Sequence, residues 1–125
     1  MKSFKPEGQL ILTEENRRYL SSSFALHDAY YAEAVLEGRV MRCDGEHNLH
    51  VDLGCMKGII PRNEGALGIE EGTVRDIALI SRVNKPVSFV ITGFSTENGE
   101  TVAVLSRRRV QEECRKEYIS ALTSL

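Results

Sequence analysis

The sequence predicts a mainly β domain: short strands closed into a small barrel, with a helical segment at each end. Three observations carry this. Between Ala34 and Ser106, apolar and polar residues alternate in short runs, the period of a half-buried strand. Turn-forming pairs, Asp44-Gly45 and Asn98-Gly99, punctuate those runs. Outside this stretch the period lengthens to that of a helix. It shows in Phe24, His27, Tyr30 and Tyr31 on one side and in Val110, Cys114, Tyr118 and Leu122 on the other.

Composition bounds the rest. A chain of 125 residues, 42% hydrophobic and 27% charged, can bury one core and is neither largely disordered nor collagen-like. Apolar runs such as Ile77-Ala78-Leu79-Ile80 are too short to cross a bilayer, so no membrane partner is expected. No basic stretch leads into an apolar run at the N-terminus, so no signal peptide is expected either. A net charge of −2 excludes a strongly basic chain, and any basic surface must be local. Cys43, Cys55 and Cys114 are odd in number and lack C-x-x-C spacing, which points to a reduced, cytoplasmic setting.

The elements follow in order. Residues 1–12 read as a flexible start with Pro6 and Gly8, ending in the apolar anchor Leu10-Ile11-Leu12. Thr13 is placed to cap a helix whose first turn carries Glu14 and Glu15; Asn16 stands where a capping box would have Glu or Gln. Ser21-Ser22-Ser23 interrupts this helix, and a second runs to about Tyr31.

Residues 34–42 have strand composition, with Gly38 permitting a bulge. Leu49, Val51 and Leu53 alternate with His50 and Asp52 in a half-buried strand, and Lys57-Gly58-Ile59-Ile60-Pro61 is a short strand closed by proline. Residues 62–85 read as a loop with one helical turn and an extended stretch from Val74 to Ser81. Pro86 opens a strand with Val87, Phe89 and Ile91 on one face and Ser88, Val90 and Thr92 on the other. A hairpin at Glu97-Asn98-Gly99 leads to the strand Thr101–Ser106. Val40, Leu49, Val51, Leu53, Ile59, Val87, Phe89, Ile91, Val102 and Val104 are the expected interior.

Five short strands with a longer link between the third and fourth are the plan of an OB-fold. The expected organisation is a helical extension over residues 1–33, the barrel over 34–109 and a C-terminal helix over 110–125. Along that helix, Arg108 with Glu112, Arg109 with Glu113 and Glu112 with Lys116 are expected i,i+4 pairs. Its apolar stripe is expected to pack on the barrel, on the N-terminal helices or on a neighbouring chain.

Specific residues add a resemblance. Gly38-Arg39-Val40, Leu49-His50-Val51-Asp52-Leu53-Gly54, Gly58-Ile59-Ile60-Pro61-Arg62-Asn63-Glu64 and Leu105-Ser106-Arg107-Arg108 occur in order and at suitable distances. Together they resemble the S-one domain, the RNA-binding OB-fold repeat of bacterial ribosomal protein S-one, over about residues 34–109. The resemblance implies a five-stranded OB barrel with a nucleic-acid-binding face. Where that family's RNA-binding version has two aromatics on the second strand, this chain has His47 and His50. Its third-strand histidine is Pro61 here, and the Asp common before the last hairpin falls near Phe94-Ser95. A Gly-Ile-Ile-Pro segment looks most like those repeats in which protein docking matters more.

The expected site follows from these residues. His47 and His50 are candidate base-stacking platforms, against the plainer reading of two solvated histidines beside a turn. Lys57, Arg62, Arg82, Lys85 and Arg107 lie at strand ends and loops, where a small barrel can gather them into a phosphate track. Arg107-Arg108-Arg109 at a helix N-terminus opposes the dipole and calls for an anionic partner, either Glu112 or Glu113 or RNA. Cys43, His47, His50 and Cys55 hold zinc-ligand residue types, but a regular strand sends His47 and His50 to opposite faces, so no metal or other cofactor is expected. Asp52 and Glu64 lack visible acid/base partners, and no nucleophile–base arrangement or phosphate-cradling glycine loop is present. The expectation is a non-catalytic RNA-binding module, bacterial and translation- or ribosome-associated. The alternative is an OB-fold module that docks on the ribosome or an RNA-processing protein.

Overall fold

The computed structural model describes residues 7–123; the part of the flexible start that falls on residues 1–6, Pro6 included, lies outside them. Thr13 caps α1 (Glu14–Tyr19), its Oγ1 accepting the Asn16 N–H at 3.3 Å. Asn16 does not reach back to complete a capping box. Its Nδ2 donates to the Glu37 carbonyl at 3.0 Å and its Oδ1 accepts the Glu37 N–H at 2.8 Å. The residue that weakens the cap therefore clasps the helix to the barrel. After the serines α2 (Ser23–Tyr31) restarts, with Ser22 Oγ accepting the Ala25 N–H at 3.0 Å.

Five strands follow: β1 (Leu36–Cys43), β2 (Leu49–Asp52), β3 (Lys57–Ile60), β4 (Pro86–Glu97) and β5 (Glu100–Ser106). β1 pairs antiparallel with β2 and β4, β2 pairs with β3, and β5 runs antiparallel to β4 and parallel to β3. The pairings close a mixed sheet in the order β1-β2-β3-β5-β4, consistent with an OB-like plan. Leu36, Val40, Leu49, Val51, Leu53, Val87 and Phe89 fill the interior, joined by Leu26 and Ala29 of α2.

Three interior positions differ from expectation. In β3 the fully buried residue is Ile60, while Ile59 is half-exposed on the outside. In β5 Ala103 and Leu105 are fully buried and Val104 is not: the β3 register sets Ala103 beside the inward Gly58 and Val104 beside the outward Ile59. Ser88, read as outward, is buried, with its hydroxyl donating to Glu37 Oε2 at 3.1 Å.

Gly38 does not sit at the β1 bulge, which falls between Val40 and Arg42. It allows close packing instead: a Cβ there would stand 2.8 Å from Val51 Cγ1. Asn98 and Gly99 form the expected two-residue hairpin, with φ 51° and 79°. Asp44-Gly45 is not such a turn. The loop closes over Asp44–Asn48, with the Asp44 N–H donating to the Asn48 carbonyl at 3.0 Å and His47 at φ 64°.

The link between β3 and β4 holds a 3-10 turn at Arg62–Glu64 and the short helix α3 (Ile77–Ile80). The stretch read as extended is thus helical at its centre. Leu79 is its fully buried side chain, and a run this short has the same composition as a strand.

The last helix, α4 (Arg108–Thr123), docks by its first turns: Val110 is buried and Gln111 Oε1 accepts the Leu67 N–H at 2.6 Å. Beyond them Cys114 is exposed, as are Tyr118 at 66% and Leu122, so the stripe does not pack on the barrel. Of the expected outer-face pairs, Arg108 meets Glu112 at 3.4 Å, while Lys116 pairs with Glu113 rather than with Glu112. No helix among the described residues is long and apolar enough to cross a membrane.

Candidate nucleic-acid interface

Strand register sets the outer face of β1, β2 and β3. Arg42 lies opposite His50, and His50 opposite Ile59, in one cross-strand row. The next outward row holds Arg39, Asp52 and Lys57. Arg42 and Lys57 are exposed and make no ion pair among the described residues. Arg39 donates to the Asn84 carbonyl at 2.6 Å. The bulge after Val40 turns both Met41 and Arg42 out to solvent. This is a shallow platform with an imidazole and an aliphatic side chain at its centre and cations at its edges. That composition suits base stacking flanked by phosphate contacts.

The seven residues expected at the site fall into four places. His50 and Lys57 lie on this platform. Lys85 lies beside β1, its carbonyl accepting the Val40 N–H at 3.0 Å. His47 and Arg62 meet at Asp76: Arg62 Nε and Nη2 donate to its two oxygens at 2.9 and 2.7 Å, and His47 Nδ1 bonds Oδ2. His47 is not on β2 at all; it sits in the preceding loop.

Arg82 and Arg107 lie elsewhere, beside Glu7. Arg107 is buried, its Nε and Nη2 donating to Glu7 at 2.8 and 2.6 Å and its Nη1 to the Gly65 carbonyl at 3.1 Å. Arg82 Nη2 stands 3.4 Å from Glu7 and donates to the Pro86 carbonyl at 2.8 Å. Both guanidinium groups are engaged within the chain. Arg108 meets Glu64, Glu70, Glu71 and Glu112, so two of the three consecutive arginines find their anions within the chain.

The carboxylates beside the site are held firmly charged. The hydrogen bond with His50, 2.8 Å from Asp44 Oδ2, and the amide of Asn48 keep the Asp44 carboxyl well below the usual range. The hydrogen bonds from Arg62 hold Asp76 down to about 2, with His47 adding to the effect. The two histidines thus address different carboxylates. Cys55 is exposed, and among the described residues no three His, Cys, Asp or Glu side chains gather as a metal site.

The β1 contribution of Arg39, Met41 and Arg42 was missed by sequence reasoning. The alternation of Arg39 and Met41 about Val40 signals two outward residues. Only the bulge, which alternation does not reveal, adds Arg42 beside His50.

No family model matches the chain, and no curated protein matches it either. Among solved structures it is similar to the solution structure of GSP13 from Bacillus subtilis, at 24% identity and a TM-score of 0.48 over 63% of this chain. The chain spans 56% of that protein's length.

Proposed function

We propose that this chain is a non-catalytic, S-one-like RNA-binding module that takes single-stranded or structured RNA across the outer face of β1–β3. The cross-strand row Arg42–His50–Ile59, with Lys57 beside it, carries the reading. A strand of RNA laid over it has an imidazole and an apolar side chain for its bases and unpaired cations for its phosphates. A cytoplasmic, translation-associated role fits that chemistry. The area is small and the chain's net charge is −2, so affinity is set by few phosphates. Non-specific binding of this kind falls at roughly 10⁻⁴ to 10⁻⁶ M at physiological salt.

The test is a titration of a labelled oligoribonucleotide at several salt concentrations. Each lost phosphate contact flattens the log–log salt slope by about 0.7, so Arg42→Ala and Lys57→Ala should each remove about that much. His50→Ala should weaken binding without changing the slope, because stacking releases no counterions. Undetectable RNA binding at low salt by a folded protein would overturn this reading in favour of a protein-docking module.

A further inference from the structure

Apart from this platform, a groove of about 970 Å³ runs between α2, β4 and α4. Its floor is apolar: Val35, Val90 and Val110. Tyr30 and Tyr31 form one wall, their rings 5.3 Å apart and tilted by 51°. Tyr31 is 78% exposed, a large apolar surface left to water.

The charge over this groove is mostly negative. Glu33 and Glu117 line it with no ion pair among the described residues, and Glu113 meets only the exposed Lys116, at 3.7 Å. Arg109 is the one cation in the lining. Farther along α4, Tyr118, Ile119 and Leu122 are exposed on the side of the helix turned away from the groove, outside its lining. Carboxylates at the rim repel nucleic acid, so the groove does not extend the RNA platform.

We infer that this groove docks a basic amphipathic segment of a partner protein, with Lys or Arg side chains set beside aliphatic ones. The aliphatic side chains cover the valine floor. The cations reach Glu33, Glu113 and Glu117 and lie against the tyrosine faces, where ring and carboxylate attract the same charge. RNA on the platform and a basic protein segment in the groove can then be held together, since the two share no lining residue. This site stands whether or not the platform binds RNA.

The test uses a fluorescein-labelled synthetic peptide of alternating Leu and Arg, with a Leu/Glu peptide as control, read by anisotropy at low salt. The full chain should bind the Arg peptide and not the Glu peptide. The double variant Glu33→Lys with Glu113→Lys should bind the Arg peptide about tenfold more weakly or worse. All three substituted or probed positions, Glu33, Glu113 and Tyr31, are exposed, so folding should survive and circular dichroism checks it. Tyr31→Ala should weaken binding several-fold without altering its salt dependence. No binding of the Arg peptide by the unaltered chain, equal binding of both peptides, or unchanged affinity in both variants would overturn the inference.

Discussion

Glu7 and Arg107 stand 100 residues apart in sequence and meet in two hydrogen bonds, 2.8 and 2.6 Å long. The same Glu7 accepts the Ser88 N–H at 2.8 Å and lies near Arg82. Beside it, Glu37 Oε1 takes three backbone N–H groups, from Gly8, Leu10 and Ile11, at 3.0 to 3.1 Å. Two carboxylates thus tie the segment before α1 to the barrel. Arg107→Ala leaves Glu7 without its main partner and the Gly65 carbonyl without a donor. It should cost about 3 kcal/mol, read from the urea midpoint.

The same contact predicts an acid sensitivity. Burial opposes the charged form of Glu7, but the Arg107 hydrogen bond, the Ser88 amide and the two guanidinium charges outweigh it. Its carboxyl therefore titrates below the ordinary value of 4.5. A group depressed in the folded state stabilises fully above its unfolded value and loses that contribution as pH falls through the folded one. Stability of the unaltered chain minus that of Glu7→Gln should therefore be constant near neutrality and shrink below about pH 4.5. A difference that stays constant down to acid unfolding would remove Glu7 from the account.

Core packing gives a third prediction. A Cβ on Gly38 would stand 2.8 Å from Val51 Cγ1 and 3.4 Å from Phe89 Cε2, both on fully or nearly fully buried side chains. Val51 is β-branched and cannot swing aside freely. Gly38→Ala should destabilise by about 1–3 kcal/mol. A melting curve matching the unaltered chain would show that the strands part to admit the methyl.

What was legible in the sequence was local. The period-two runs gave the strands, the Asn98-Gly99 pair gave the hairpin, and Thr13 gave the first cap. The failures share a cause: a distant partner decides. Ile59 and Ile60 are both apolar, so only pairing with β2 and β5 selects which faces inward. Arg107 reads as a free cation until Glu7 folds back onto it. Arg62 reads as a phosphate ligand until Asp76 appears from the long link. Asn16 breaks a capping rule because Glu37 needs both its amide atoms.

The C-terminal helix makes a fourth prediction, by contrast between its ends. Gln111→Ala leaves the Leu67 N–H without its partner and should cost about 1 kcal/mol. Removing residues 117–125, whose described side chains include the exposed Tyr118, Ile119 and Leu122, should shift stability by no more than about 0.5 kcal/mol. Thermal melts of both variants check this. A large loss on truncation would mean that the outer turns hold the barrel after all.

Asp76 supplies the last prediction. Its two oxygens occupy the Arg62 guanidinium in the geometry a phosphate would use, and the same carboxylate bonds His47. A bound RNA strand near this end of the platform must therefore compete with a fixed internal anion. Asp76 precedes α3 but makes no side-chain cap there, so its replacement leaves the helix start as it was. Asp76→Asn removes the negative charge and keeps the size. Arg62 then becomes available to phosphate, and RNA should bind more tightly at low salt, with a log–log salt slope steeper by about 0.7, the share of one further phosphate contact. Adding Arg62→Ala should return both affinity and slope to the unaltered values. If Asp76→Asn instead weakens binding, the carboxylate aims Arg62 at the RNA rather than withholding it, and the competition argument fails.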